Sequence, residues 1–233
     1  MKYFLINKDL PKEMQRRLSF FGECVPLPVF QGLPFPVCAH PDMLICEIGG
    51  KLWVHAEYGE GQELLSYLGV PFLVSHTPVF AKYPGDVRLN CFCLGDLFVS
   101  NEKYVSQEAL KFARDAGFRS VSVSQGYAKC SCAIAGNSVA TADRGMARAL
   151  RENGADVLLL DPSFIGIDVY DTGFIGGASV LLNEKTLGFF GNIEAFAQYE
   201  ALKSFFASRG VSLVSLGKTP LFDYGGAVSF SSD

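Results

Sequence analysis

The sequence predicts an α/β chain with one domain, residues 1–233, folded as a five-unit pseudo-symmetric α/β propeller that is closed by pairing of its N- and C-terminal strands. Three observations predict it. A strand, turn, strand, helix, strand pattern recurs, and is clearest in GYAKCSCAIAGNSVATADRGMARALRENGADVLLL, Gly126 to Leu160. A glycine follows each helix, at Gly22, Gly69, Gly117, Gly154 and Gly210, where the chain wants the left-handed conformation that glycine adopts cheaply. The pieces before Gly22 and after Gly210 are each about half a unit long, so joining the termini completes one more unit. An open solenoid would carry a whole unit at each end. A unit split between the termini is what a closed ring requires, and an unrelated alternating α/β sheet is the competing topology.

The elements follow in order. Tyr3 to Ile6 reads as a strand, and Asp9 and Pro11 open a helix whose Met14, Leu18 and Phe21 share a face, with Gly22 as its stop. A strand candidate at Cys24 to Leu27 leads into a stretch in which Pro26, Pro28, Gly32, Pro34 and Pro36 crowd a loop that is read as irregular. The first full unit is HPDMLICEI, a Gly49-Gly50 turn, KLWVHA, a helix through Leu64, Leu65 and Leu68, Gly69 and VPFLVS. The second is YPGDVRLNCFCL, a Gly95-Asp96 turn, LFVS, a helix capped by Ser106 with Leu110 and Ala113 inward, Gly117 and FRSVSVS. The third is the stretch quoted above, with its turn at Gly136-Asn137 and Asp143 near the helix start. The fourth runs YDTGFIGGASVLL, turn NEKT, LGFFG, one helix capped by Asn192 with Phe196, Tyr199, Leu202 and Phe206 inward, Gly210 and VSLVSL. FDYGGAVSFSSD supplies the first strand of the split unit.

With 233 residues, 49% of them hydrophobic and 19% charged, the chain can bury a large core. A net charge of −4 without long runs of one sign gives no basic stripe for nucleic acid and no cationic amphipathic helix for membranes. Seven cysteines, an odd count, and an N-terminus without the apolar core of a signal peptide point to reduced thiols and a cytoplasmic location.

Each unit opens on a polar motif just before or inside its first strand: HPDM at 40–43, YPGD at 83–86, GYAKCS at 126–131, YDTGFIGGAS at 170–179 and FDYGG at 222–226. With these motifs the chain resembles the penteins, the superfamily of arginine deiminases, dimethylarginine hydrolases and amidinotransferases. It is also similar to a group of bacterial penteins of unknown function that carry GYxKCS and GFIGG. The resemblance implies a five-unit ring whose unit starts line a central pore, a nucleophilic Cys in the last unit, a His opening the fourth, and acids that grip a guanidinium. The counts that would place the Cys and the His fall on Ser229 and Val169, while the acid of the fourth unit survives as Asp171. The family mechanism therefore lacks its nucleophile and its imidazole.

Asp42, Asp86, Asp171 and Asp223 recur at equivalent unit starts. Carboxylates repeated around one pore would attract a cation, and a planar guanidinium or amidinium satisfies two at once through paired hydrogen bonds. Each could equally cap a turn. Asn90 and Lys129 are further polar unit-start residues expected at the ligand. Cys130 and His40 are the substitutes for the lost catalytic pair: Lys129 beside Cys130 could lower the thiol pKa, and His40 is the best base among the three histidines by type and placement. A Lys129 turned to the opposite face, a buried inert Cys130 and a His40 bonded to backbone are the structural alternatives. Cys91 with Cys93, and Cys130 with Cys132, are read as same-face pairs on strands, too weak a signal for a metal site. GFIGGAS lacks the order and the Lys-Ser/Thr ending of a phosphate loop, so its glycines are read as close backbone packing or as a backbone donor to a ligand.

These readings give a protein that binds a small cationic guanidino or amidino ligand in a pore, without cofactor or metal. A non-catalytic protein-interaction module and a cysteine-dependent C–N hydrolase or amidinotransferase-like enzyme are the alternatives.

Overall fold

The computed structural model describes residues 1–231. The chain forms β1 (Lys2–Asn7), α1 (Lys12–Leu18), β2 (Glu23–Leu27), α2 (Pro41–Leu44), β3 (Ile45–Ile48), β4 (Lys51–His55), α3 (Gly59–Tyr67) and β5 (Phe72–Ser75). There follow β6 (Phe92–Leu94), β7 (Leu97–Ser100), α4 (Gln107–Asp115), β8 (Arg119–Ser122), β9 (Cys132–Ala135), β10 (Ser138–Thr141), α5 (Arg144–Glu152) and β11 (Asp156–Leu159). The last are β12 (Ser179–Asn183), β13 (Thr186–Phe189), α6 (Tyr199–Ala207), β14 (Ser212–Ser215) and β15 (Ala227–Ser231).

Among the described residues the strands make five three-stranded sheets: β3-β4-β5, β6-β7-β8, β9-β10-β11, β12-β13-β14 and β15-β1-β2. In every sheet the first pair is antiparallel and the second parallel, as a tight turn and a helical crossover respectively dictate. The termini share a sheet. Tyr3 pairs with Phe230 and their rings stack at 5.2 Å, with Ile6 opposite Ala227.

Helix starts and stops follow local chemistry. Ser106 accepts the Ala109 N–H and Asp143 the Met146 N–H, each satisfying a first-turn donor. Gly69, Gly117, Gly154 and Gly210 take the left-handed conformation expected after a helix, with φ of 67°, 89°, 87° and 73°. Gly22 does not: a Cβ there would lie 2.6 Å from the Lys2 carbonyl oxygen, so close approach of β1 requires this glycine.

Three local expectations are corrected. The single helix expected from Asn192 is two pieces: Asn192 caps a 3-10 turn at Ile193–Ala195, and α6 starts at Tyr199. HPDM opens a short helix, α2, with Pro41 at its first position. GYAKCS is a turn in which the Ser131 N–H donates to Tyr127 O and the Cys132 N–H to Lys129 O, so Cys130 precedes β9 and does not share a strand face with Cys132. Cys91 likewise precedes β6, which carries Cys93.

The buried apolar side chains form five clusters, each drawing on two sheets. Phe4 and Ile6 of β1 and Met14 of α1 pack with Val180 and Leu182 of β12 and with Phe190, just past β13. Leu5 and Leu27 pack with Leu52 and Val54 of the β3 sheet, whose Cys46 and Trp53 in turn meet Leu110 and Phe98. Phe92 and Val99 pack with Val139 and Leu150, and Ala133 and Ala140 with Leu187 and Phe206. Fully burying a Phe stabilises by roughly 1.5–3 kcal/mol, so the contacts between sheets carry much of the fold.

Candidate functional site

Two cavities adjoin at the unit starts. The inner one, about 220 Å³, is lined from the first strand of every sheet: Cys46 of β3, Cys93 of β6, Ile134 of β9, Leu181 of β12 and Ser229 of β15. The outer one, about 240 Å³, is lined from the segments that connect the sheets, by His40, Met43, Tyr127, Cys130, Phe174 and Asp223 together with Val37, Ile167, Tyr170 and Thr172. Asp42 lines the inner cavity, yet its charge is felt by both Cys130 and Asp223 of the outer one, so its carboxylate stands at the partition.

Asp223 is held by backbone. Its Oδ2 accepts the Phe174 N–H at 2.8 Å and its Oδ1 the Gly225 N–H at 2.9 Å, while His40 Nδ1 lies 3.7 Å from Oδ1. Burial pushes its carboxyl up to about 6; the nearby His40 and the two N–H donors oppose that rise and Asp42 adds to it. Glycines make the room. A Cβ on Gly173 would meet Asp223 Cβ at 2.5 Å, a Cβ on Gly177 would fall on the Asp223 carboxylate, and a Cβ on Gly225, whose φ is 76°, would strike His40. Asp42 differs. Both its oxygens are buried and neither receives an N–H or O–H from a described residue; the neighbouring Cys130 thiol is a weak donor.

Asn90 ties three units together. Its Oδ1 accepts the N–H groups of Lys129 and Cys130 at 2.8 and 3.3 Å, and its Nδ2 donates to Asp42 O at 3.0 Å and Cys130 Sγ at 2.9 Å. The Cys130 carbonyl accepts the N–H groups of Gly176 and Gly177 at 2.8 and 3.2 Å. GFIGG is therefore a clamp of close backbone packing. Burial first, then the charges of Asp42 and Asp223, hold the Cys130 thiol well above its ordinary value, with Asn90 pulling the other way. Lys129 does not activate Cys130: it lines the inner cavity, and the thiol it favours as thiolate is that of Cys132, which burial still pushes up to about 12.

The structure thus brings His40, Asp42, Asn90, Cys130 and Asp223 together, and separates the rest of the expected set. Asp86 is buried behind Tyr127, whose hydroxyl donates to its Oδ2 at 2.7 Å; burial raises its carboxyl against that bond. Asp171 is exposed, although Tyr170 and Thr172 on either side line the outer cavity. Two residues earlier, Val169 has a φ of 68°, rare for a β-branched residue. Ser229 lines the inner cavity, in a wall that His40 does not reach. The sequence reading missed Met43, Ile167 and Phe174 as lining residues; apolar side chains at unit starts carry no signal that separates a cavity wall from a core. No group of His, Cys, Asp and Glu among the described residues is arranged to hold a metal ion, and no described helix is long and apolar enough to cross a membrane.

The model of a family of unknown function, DUF6873, matches residues 5–228. The chain belongs to that family. No curated protein matches this DUF6873 chain by sequence. Among solved structures it is similar to SxtG, an amidinotransferase of the saxitoxin biosynthetic pathway from Microseira wollei, at a TM-score of 0.56 and 11% identity over 88% of this chain and 74% of that one. It is also similar to an agmatine deiminase from C. jejuni, at a TM-score of 0.52 and 9% identity over 92% of this chain and 87% of that one. Both are penteins, and the likeness is one of fold: the DUF6873 chain is pentein-like.

Proposed function

We propose that residues 1–233 form one domain, a closed five-unit ring, and that a small cation of the guanidino or amidino type binds in its outer cavity with its head at the partition, between Asp223 and Asp42. The ring is supported by the shared sheet of the two termini, by the cavity that touches the first strand of every sheet, and by the cyclic order in which the apolar clusters join the sheets. One observation carries the ligand reading: Asp42 at the partition buries two carboxylate oxygens that no N–H or O–H of a described residue satisfies, beside a second buried carboxylate, Asp223, which lines the outer cavity. An unsatisfied buried acceptor costs roughly 1–3 kcal/mol and more when charged, a cost that a planar cation with paired N–H donors would remove.

Thermal shift with guanidinium and amidinium compounds tests this. Asp42→Asn is expected to raise the melting temperature of the free protein and to remove the shift given by every compound that stabilises the native chain. A shift that survives Asp42→Asn contradicts the proposal.

A second reading, a cysteine-dependent C–N hydrolase, is favoured by the shared cavity of Cys130 and His40. His40 would take the Cys130 thiol proton as Sγ attacks the amidinium carbon and give it to the departing amine as the C–N bond breaks, and water would then cleave the C–S bond to release the product. Haloacetamidine labelling of Cys130, followed by mass spectrometry, supports it; labelling confined to Cys24 and Cys38 counts against it.

A further inference from the structure

We infer that the cation of the outer cavity carries an aromatic or apolar body and no carboxylate; this rests on the ligand reading above and narrows it. The acid end of the cavity is Asp223, with Asp42 behind it and His40 3.7 Å away. The remaining wall is Val37, Met43, Tyr127, Ile167, Tyr170 and Phe174, with Thr172 and the Cys130 thiol as its other polar groups.

Among the described residues the wall contains no Lys or Arg. A ligand with an α-amino acid end would therefore place its carboxylate against apolar side chains or against the acids, where desolvation is not repaid by a counter-charge. His40 cannot serve that end while it sits against Asp223, and Lys129 faces the inner cavity. The charge pattern excludes a zwitterion and accepts a simple cation.

The aromatic rings of the wall favour an apolar body. Phe174 and Tyr127 lie with centroids 5.7 Å apart, and Tyr127 and Tyr83 5.6 Å apart, at tilts of 35° and 34°. These three rings run from the cavity wall outward to Tyr83, which is 49% exposed. A flat apolar body would continue this run, gaining both buried area and ring contact, and the Tyr127 and Phe174 faces would also attract the cationic head. A flexible polar chain would gain neither.

Calorimetry at a pH where Asp223 is ionised, with benzamidine, its para-carboxylate analogue amidinobenzoate, agmatine and arginine, tests the inference. Benzamidine is expected to bind roughly tenfold or more tightly than each of the others. Tighter or equal binding of agmatine overturns the apolar body, and tighter or equal binding of amidinobenzoate or arginine overturns the missing carboxylate; both results leave the cation reading standing. If none of the four binds, the cation reading falls and this inference with it. Tyr170 is 48% exposed and lines the cavity, so Tyr170→Arg adds a counter-charge without disturbing the core. It is expected to shift the ratio of amidinobenzoate to benzamidine affinity by roughly tenfold towards amidinobenzoate. An unchanged ratio contradicts the assigned wall.

Discussion

The segments 170–179, YDTGFIGGAS, and 222–226, FDYGG, look alike in sequence: an aromatic residue, an aspartate, then glycines before a first strand. They fold to opposite ends. Asp223 is buried, fixed by two backbone N–H groups and set against His40, whereas Asp171 lies in solvent. The glycines of the first segment, meanwhile, serve the acid of the second, since Gly173 and Gly177 leave the space that the Asp223 carboxylate fills. Asp171 stands further ahead of β12 (Ser179–Asn183) than Asp223 does of β15 (Ala227–Ser231), so the shared motif does not mark one repeated backbone position. What each copy does is decided by the neighbour that closes over it.

The largest effect that would test this contrast belongs to Gly176, where a Cβ would lie 2.5 Å from the carbonyl oxygens of Lys129, Cys130 and Cys132. Backbone on three sides cannot move aside cheaply, so Gly176→Ala is expected to cost more than about 3 kcal/mol, read as a fall in the urea midpoint. A loss below about 1 kcal/mol would mean that the clamp is loose.

Next comes the pH dependence of stability. The folded Asp223 carboxyl is raised to about 6 from an unfolded value near 3.8, so its contribution is fully present below about 3.8 and is lost as pH rises through about 6. His55 opposes this slope. Its Nε2–H donates to Met43 O at 3.0 Å and burial lowers the imidazole to about 4, so its contribution is present above about 6.5 and lost as pH falls through about 4. Subtraction isolates the acid: the stability of Asp223→Asn relative to the native chain is expected to climb by up to about 3 kcal/mol between pH 4 and 6 and then level off. A difference that is flat in pH would show that Asp223 is not held in a raised state.

The smallest effect is the counterpart. Asp171→Asn is expected to change stability by less than about 0.5 kcal/mol, with no pH trend, because an exposed side chain away from the packed site has little to lose. A loss as large as that of Asp223→Asn would erase the distinction between the two segments.

Much of the fold was legible because its punctuation is local. Gly49 and Gly50, Gly95 and Gly136 take positive φ at the turns where the sequence places them, and four of the five helix-ending glycines do so too. Gly22 was misread because a glycine required by a carbonyl 2.6 Å away looks the same as one required by φ. The helix from Asn192 was misjudged because Phe196 and Tyr199 keep helical spacing although the chain breaks between them. Within the site, His40, Asp42, Asn90, Cys130 and Asp223 were found as polar residues at unit starts. The direction of Lys129 was not legible, since it depends on GYAKCS being a turn, and Tyr127 was visible only as a polar start, its place in an aromatic run depending on Phe174 of another unit.

The central claim is that two buried carboxylates await a cation, and calorimetric titration of the native chain with benzamidine across about pH 4.5 to 8 tests it most directly. His40, Asp42 and Cys130 are the titratable groups that face Asp223, and the cation requires Asp223 ionised. The affinity is expected to rise by close to tenfold per pH unit up to about 6 and to level off above it, with protons released on binding in the rising limb. Binding that is constant across this range, or that strengthens as the pH falls, would contradict the account.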